Sequence, residues 1–239
     1  MRKTVLAEGE YYHIFNRGVE RRDIFMDADD IERFLESLNE FNRDKPIGSI
    51  YESRISKRRK FGSSTPKIVA GDALSGDPIV EMVCYCLNPN HFHIVLKQLH
   101  DRGIQRFMQR LGTGYTNYFN EKYRRAGALF QGRYKSVHIH SNEQLLHASV
   151  YVNLNNRFGS STPKLSASSW GEYVSLAGNT GDTQGMCSKD VILAQFKSPE
   201  EYKVFAEDVL PDIIERKRAE KELADLHEDY LGVELASVH

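Results

Sequence analysis

The chain has few cysteines and no long apolar run. Its three cysteines, Cys84, Cys86 and Cys187, are too few and odd in number for a disulfide scaffold, so we expect a reducing, cytoplasmic location. No apolar stretch is long enough to span a membrane, and residues 1–10 lack the apolar core of a secretory signal. With 40% hydrophobic residues, the chain can bury a core, and its length predicts one domain with an appendage.

A strong net charge is also absent, because the formal net charge is −1. This near-neutral sum combines a basic segment and an acidic segment of the chain. Residues 101–140 carry eight basic side chains against two acidic ones, whereas residues 200–239 carry five basic against twelve acidic. A basic middle is compatible with a polyanionic partner such as DNA, although a solvated basic face explains the same pattern.

Basic residues of this middle segment alternate with aromatic ones. Arginine and lysine hold phosphates, and aromatic rings stack on unpaired bases. The candidate DNA-binding residues are Arg102, Arg106, Arg110, Arg124, Arg125, Arg133 and Lys135.

Hydrophobic periodicity predicts an alternation of strands and helices. Strands are predicted at 10–17, 78–87, 91–98 and 132–140, and helices at 28–42, 103–123 and 141–155, the last opened by a capping box of Ser141 and Gln144. This order is typical of an α+β fold with a ferredoxin-like antiparallel sheet and helices on one face.

Two further parts of the chain complete the predicted organisation. Residues 44–79 lack periodicity and predict an inserted mobile loop within a catalytic domain at 1–160. Residues 161–239 predict a mainly helical C-terminal extension, with a long charged helix from about 199 to 230. The heptapeptide FGSSTPK occurs at 61–67 and again at 158–164, and its composition predicts a loop in both places.

The sharpest chemical feature is the pair His91 and His93, which directly follows an Asn-Pro-Asn turn. Successive side chains of a strand alternate between its faces, so the two imidazoles point the same way and form half of a divalent-metal site. Two solvent-facing strand histidines are the alternative. A rival pair, His138 and His140, lies at a strand end, where we expect a structural or surface role.

Tyr151 and Asn155 form a second constellation. They stand four residues apart on a predicted helix, so their side chains are neighbours. A tyrosine beside a metal-ligating amide suits phosphotyrosine chemistry, because a cation stabilises the phenolate and polarises the phosphate. A half-buried helix tyrosine is the alternative, and Tyr115 and Tyr118 compete for the nucleophile role, although both fall on an apolar helical stripe.

Four motifs in this order resemble those of the single-tyrosine HUH transposases of the insertion-sequence type, and within them the REP-associated tyrosine transposases. The motifs are YHIFNRG (12–18), LNPNHFHIVL (87–96), GALFQGRYKS (127–136) and YVNLN (151–155). The resemblance covers about residues 8–160. One departure is Asn156, at a position where the family usually has proline.

The resemblance implies roles for the residues that match the motifs. His91, His93 and Asn155 would bind a catalytic Mg²⁺ or Mn²⁺, and Tyr151 would be the nucleophile. The implied partners are single-stranded or hairpin DNA and a second subunit in a homodimer, with no nucleotide cofactor.

We therefore expect a metal-dependent DNA transposase that cleaves and rejoins single-stranded DNA through a 5′-phosphotyrosine intermediate. Two alternatives stay open at this point. One is a domesticated DNA-binding protein that does not cleave. The other is a metal-dependent nuclease in which water, rather than a tyrosine, attacks the phosphate.

Overall fold

A computed structural model describes residues 5–45, 47–48, 50, 76–157, 165–174 and 185–236. Five strands form one antiparallel sheet in the order β4-β1-β3-β2-β5. They are β1 (Tyr11–Arg17), β2 (Val80–Asn88), β3 (His91–Gln98), β4 (Lys135–Ile139) and β5 (Ala167–Ser168). The four predicted strands are confirmed, and β5 was not predicted because two residues carry no periodicity.

Six α-helices surround this sheet in the part of the chain that the structure describes. They are α1 (Ala28–Glu40), α2 (Gly103–Lys122), α3 (Asn142–Asn153), α4 (Trp170–Val174), α5 (Asp190–Leu193) and α6 (Pro199–Ala236), and 3-10 turns occur at Val19–Arg21 and Asn155–Arg157. The predicted α+β class is confirmed. None of the described helices is both long and apolar enough to cross a bilayer.

Helices cover both faces of the sheet, which corrects the expectation of helices on one face. Helices α1 and α2 pack on the face of β3 that carries Phe92 and Ile94. Helices α3 to α6 pack on the opposite face, which carries Val83 and Val95. The nearly uninterrupted burial of β2 and β3 is typical of strands covered on both sides.

Some predictions fall outside the described residues. Both copies of FGSSTPK and most of the predicted 44–79 insertion lie there. The helical character of the extension is confirmed by α4 to α6, whereas the domain boundary at residue 160 stays a prediction.

The start of α3 is fixed by the predicted capping pair. The Ser141 hydroxyl accepts a hydrogen bond from the Gln144 amide at 3.1 Å, and the Gln144 side chain accepts one from the His140 amide at 2.8 Å. The first bond satisfies an unpaired amide of the first helical turn, and the second satisfies the amide of the residue before the N-cap, one position earlier than in a regular capping box. The cap sets where α3 begins and therefore which of its residues face the sheet.

A buried ionic cluster ties the start of α1 to the end of α2. Asp30 is fully buried, and it accepts hydrogen bonds from Lys122 Nζ at 2.9 Å, Tyr118 Oη at 3.0 Å and Tyr123 Oη at 2.8 Å. Lys122 also contacts the capping residue Asp27, and this hydrogen bond lowers the pKa of the Asp27 carboxyl. The cluster joins two helices of the same layer.

Replacing Lys122 with methionine is expected to lower the free energy of unfolding by about 3 kcal/mol, because Asp30 would remain as a buried charge without its cation. Urea denaturation measures this loss. The matched control is Lys203→Met, which removes a half-exposed pair with Glu207 at 4.0 Å and is expected to cost about 0.5 kcal/mol or less. Equal losses in the two variants would contradict this account of the cluster.

Candidate active site

The two histidines of β3 point toward α3. Strand alternation places His91, His93 and Val95 on this face, and Phe92 and Ile94 on the other. The predicted common orientation of the pair is therefore confirmed. The face is covered, however, and His93 is only 8% exposed, so the alternative of two solvent-facing histidines is wrong.

Asn155 brings its amide oxygen to the same place. Asn155 Oδ1 lies 3.2 Å from His91 Nε2. The Asn88 amide nitrogen forms a triangle with these two atoms, 3.1 Å from His91 Nε2 and 2.9 Å from Asn155 Oδ1. Both acceptor lone pairs therefore converge on one point, which the Asn88 amide group now occupies.

Asn155 reaches this point from a 3-10 turn and not from a helix. The helix was predicted to extend to residue 155, but α3 ends at Asn153 and the next turn begins at Asn155. The four-residue spacing therefore places both groups at one site without the regular helical geometry that we expected.

The histidine rings are held so that one nitrogen of each is available to a ligand. His91 Nδ1 lies 2.6 Å from the acceptor Asn90 Oδ1, whereas Nε2 lies 3.1 Å from the Asn88 amide nitrogen and 3.2 Å from Asn155 Oδ1. The shorter contact with Asn90 and the donor amide of Asn88 favour the tautomer with the proton on Nδ1, in which Nε2 presents a lone pair. His93 Nδ1 lies 2.8 Å from His13 Nε2, which leaves His93 Nε2 uncommitted by that contact.

Burial keeps these imidazoles neutral. It lowers the pKa of His91, and it is the largest cause of the strongly lowered pKa of His93. The pKa of His13 falls to about 4, from burial first and then from the charge of Lys217. Neutral imidazole is the form that ligates metals, so the site is in its binding form at neutral pH.

Two imidazole nitrogens and one amide oxygen fit a divalent cation, because such ligands bind several first-row ions. A cation at the convergence point would displace the Asn88 amide and satisfy the same lone pairs. Within the described ranges, no group of three or more His, Cys, Asp or Glu side chains is arranged to hold a metal. The amide Asn155 would therefore have to supply the third protein ligand.

Tyr151 lies beside the histidines. The centroid of its half-buried ring is 5.4 Å from that of His93 and 5.5 Å from that of His13, both in edge-on arrangements. The structure thus brings together the four residues proposed for chemistry, two from β3 and two from the segment at the end of α3. The Tyr151 ring therefore borders the group of candidate metal ligands.

The competing tyrosines are committed elsewhere, on the other face of the sheet. Tyr115 is fully buried, its hydroxyl donates to the Ile24 carbonyl at 2.6 Å, and burial raises its pKa. The Tyr118 hydroxyl donates to Asp30. Both serve the packing of α1 against α2, as their position on an apolar stripe indicated.

The rival histidine pair also lies away from this site. His138 is paired with Tyr12 across β4 and β1 and stacks on that ring at 5.0 Å, on the face that carries α1 and α2. Its Nε2 contacts Glu10 at 2.9 Å. His140 follows β4 and packs against His138. The pair therefore has the structural and surface surroundings that we expected.

His13 of β1 also lies at this site, although the sequence did not predict it. Tyr11, His13 and Phe15 share the face of β1 that meets α3, and Phe15 stacks on His93 with 5.6 Å between ring centroids. Strand alternation places His13 on one face of β1, but alternation does not show which other residues share that face of the sheet. Only the pairing of β1 with β3 reveals that this is the face with His91 and His93.

The predicted DNA-binding residues divide between the two ends of the sheet. His91 is the first residue of β3, and Arg102 comes after the last residue of that strand. The two residues are therefore separated by about 23 Å of strand. Arg106 lies beside Arg102 in the first turn of α2. Arg110 donates to the carbonyls of Phe41, Arg43 and Asp44, which makes it an anchor of that loop.

The other predicted basic residues lie at the histidine end. Lys135 is exposed and is paired with Phe15, so it faces the same side as His93. Arg124 and Arg133 are exposed in the loop after α2, and Arg125 is held there by Asn120 at 2.8 Å.

An additional basic residue, Arg17, also lies at this end. It is exposed, is paired with His91 across β1 and β3, and contacts Gln131.

Comparison with known proteins supports the family inferred from the motifs. Residues 73–155 match the family model described as IS200-like transposase, a segment that contains His91, His93, Tyr151 and Asn155. The predicted resemblance is confirmed over this segment, and the class of protein that it supports is a transposase.

No curated protein matches the chain. A solved structure of a REP-associated tyrosine transposase bound to a REP hairpin aligns at 11% identity with a TM-score of 0.42, covering 66% of this chain and 72% of that one.

Proposed function

We propose that this protein is a transposase that cleaves and rejoins single-stranded DNA with Tyr151 as the nucleophile. The observation that carries the proposal is the placement of the Tyr151 ring against His93, next to the convergent lone pairs of His91 and Asn155. A phosphodiester bound there would meet a nucleophile on one side and the metal-ligating groups on the other.

The proposed reaction balances without a nucleotide. The Tyr151 phenol oxygen forms a bond to phosphorus and loses its proton, and the bond from phosphorus to the 3′ oxygen breaks. The 3′ oxygen leaves with a proton as a free hydroxyl, and the DNA is joined to Tyr151 through a 5′-phosphotyrosine. Attack by another 3′-hydroxyl on this linkage reverses the steps and rejoins strands.

The residues around Tyr151 have separate tasks in this proposal. His91, His93 and Asn155 would hold the divalent metal, Mg²⁺ or Mn²⁺. The metal, when bound, supplies polarisation of the phosphate and stabilises negative charge. His13 fixes the ring of His93 through their 2.8 Å contact, because the partner of a ligating histidine sets its orientation.

We propose that DNA enters along the histidine end of the sheet. Arg17, Arg124, Arg133 and Lys135 are exposed there, and their charges would neutralise phosphates on either side of the cleaved one. Arg102, Arg106 and Arg110 lie too far away to contact the same phosphates. They would take part only if the strand continued along α2.

The proposal predicts a covalent adduct that depends on a divalent metal. Purified protein is incubated with labelled single-stranded hairpin DNAs and Mg²⁺ or Mn²⁺, with and without chelator, and separated on a denaturing gel. We expect a band of protein linked to DNA that survives denaturation and disappears with chelator. The released strand is expected to carry a free 3′-hydroxyl that a polymerase can extend.

Other outcomes would identify the alternatives. DNA binding without cleavage across a broad pool of hairpins would indicate a non-cleaving DNA-binding protein. Metal-dependent cleavage without any adduct would indicate a nuclease that uses water. The homodimer, the hairpin substrate and the cytoplasmic location stay predictions that follow from the resemblance and the composition.

A further inference from the structure

We propose that Lys217 of the C-terminal helix α6 completes the active site, by placing an ammonium group beside the Tyr151 nucleophile. The inference rests on the proposed function and extends it to a residue outside the matched segment 73–155. Lys217 Nζ lies 5.6 Å from the centroid of the Tyr151 ring, within the range of a cation–π contact.

The placement of Lys217 follows from the packing of α6 on α3. Tyr202 of α6 is fully buried, and its hydroxyl lies 3.0 Å from Ser149 Oγ and 3.3 Å from Asn153 Nδ2. Phe205 meets the His147 ring at 6.1 Å, which gives His147 a packing role. These contacts hold the two helices together on either side of Tyr151.

Lys217 lies at the exposed edge of the apolar stripe of α6. Tyr202, Ala206, Val209 and Ile213 form the stripe of α6 that packs into the core, at spacings of four, three and four residues. Four residues further along the same face comes Lys217. Lys217 is exposed, so its aliphatic stem can run along the edge of the stripe while its ammonium group reaches the Tyr151 ring.

The positive charge of Lys217 acts on His13 and His93 as well as on the Tyr151 ring. Burial is the largest cause of the lowered pKa of His13 and of His93, and the positive charge of Lys217 contributes in both cases. Lys217 is therefore near the rings of Tyr151, His13 and His93. Helix α6 is rich in acidic residues, yet it places the basic residue Lys217 beside Tyr151.

The charge has a defined task in the proposed reaction. As Tyr151 attacks, negative charge builds on the non-bridging phosphate oxygens and on the departing 3′ oxygen. A fixed cation beside the attacking phenol stabilises that charge in the transition state more than in bound DNA. Lys217 would therefore affect the rate of adduct formation more than the affinity for DNA.

The test is Lys217→Met, which keeps a long apolar side chain and removes the charge. Single-turnover adduct formation and DNA affinity are measured on the full chain, with a hairpin DNA that the wild type cleaves and saturating Mn²⁺. We expect the rate to fall about 30-fold and the dissociation constant to change less than about threefold. Lys217→Arg, which restores a cation, is expected to recover most of the rate.

The matched control is Arg216→Met, which removes the same charge one residue earlier, at a position that is exposed like Lys217 and is rotated by about 100° around the helix. Its adduct rate is expected to stay within about twofold of the wild type. A Lys217→Met rate equal to that of Arg216→Met would overturn the role of Lys217 and leave the proposed function intact. Failure of Lys217→Arg to recover activity would also overturn it, in favour of a packing role.

A wild type that forms no adduct with any hairpin would overturn the proposed function and this role together. Thermal unfolding midpoints of all variants complete the experiment. Midpoints within a few degrees of the wild type, combined with the rate loss in Lys217→Met alone, support the proposal.

Discussion

Replacing Tyr151 with phenylalanine is expected to abolish the covalent adduct, with a loss of at least about 1,000-fold in rate, because the substitution removes the oxygen that would bond to phosphorus. DNA affinity is expected to change less than about twofold, since the phenyl ring keeps its contacts with His13 and His93. Single-turnover assays on denaturing gels, with a filter-binding assay in parallel, measure both quantities.

Tyr118→Phe is the control for this experiment. It removes a hydroxyl that donates to Asp30, so it is expected to cost about 1 kcal/mol in stability and nothing in adduct formation. Persistence of the adduct in Tyr151→Phe would transfer the nucleophile role to another tyrosine. Cleavage that continues in this variant without an adduct would favour attack by water.

Local patterns made much of this site predictable. The orientation of His91 and His93 depends only on strand alternation, and the proximity of Tyr151 to Asn155 depends only on their spacing. Strand alternation acts within β3, and the four-residue spacing keeps Asn155 near Tyr151 although Asn155 lies in the 3-10 turn after α3, so the sequence contains this information. The capping pair Ser141 and Gln144 belongs to the same class of local signal.

The parts that were not predicted depend on contacts between distant segments. His13 joins the site because β1 pairs with β3, 80 residues away, and Lys217 joins because α6 packs on α3. Arg17 reaches His91 through the same strand pairing. Periodicity places such residues on a face, but it does not state which other element that face will meet.

The charge count identified residues 101–140 as a basic segment, but it did not show which of these basic side chains form contacts inside the fold. Arg110 counts as one basic residue of the segment, yet its guanidinium is occupied by three backbone carbonyls. Lys122 is likewise occupied by Asp27 and Asp30. The net charge of a stretch therefore overstates the charge that it can offer to DNA, because folding uses part of it internally.

Replacing His91 and His93 together with alanine is expected to abolish the metal-dependent adduct, again by about 1,000-fold or more, because two of the three proposed protein ligands are lost. Isothermal titration calorimetry with Mn²⁺ measures the metal affinity directly and does not depend on catalysis. We expect no measurable binding in the double variant. Circular dichroism and the unfolding midpoint establish that the sheet is retained.

The chain provides a matched control in its second histidine pair. His138→Ala with His140→Ala removes the same chemical groups from the opposite, structural side of the sheet, and its adduct rate and Mn²⁺ affinity are expected to match the wild type. Because burial lowers the pKa of His91 and His93, protons compete with the metal only at a pH below the usual range of histidine. Mn²⁺ affinity is therefore expected to hold as the pH falls from 7 to 6, and a steep loss over that interval would contradict a site built on these two buried rings.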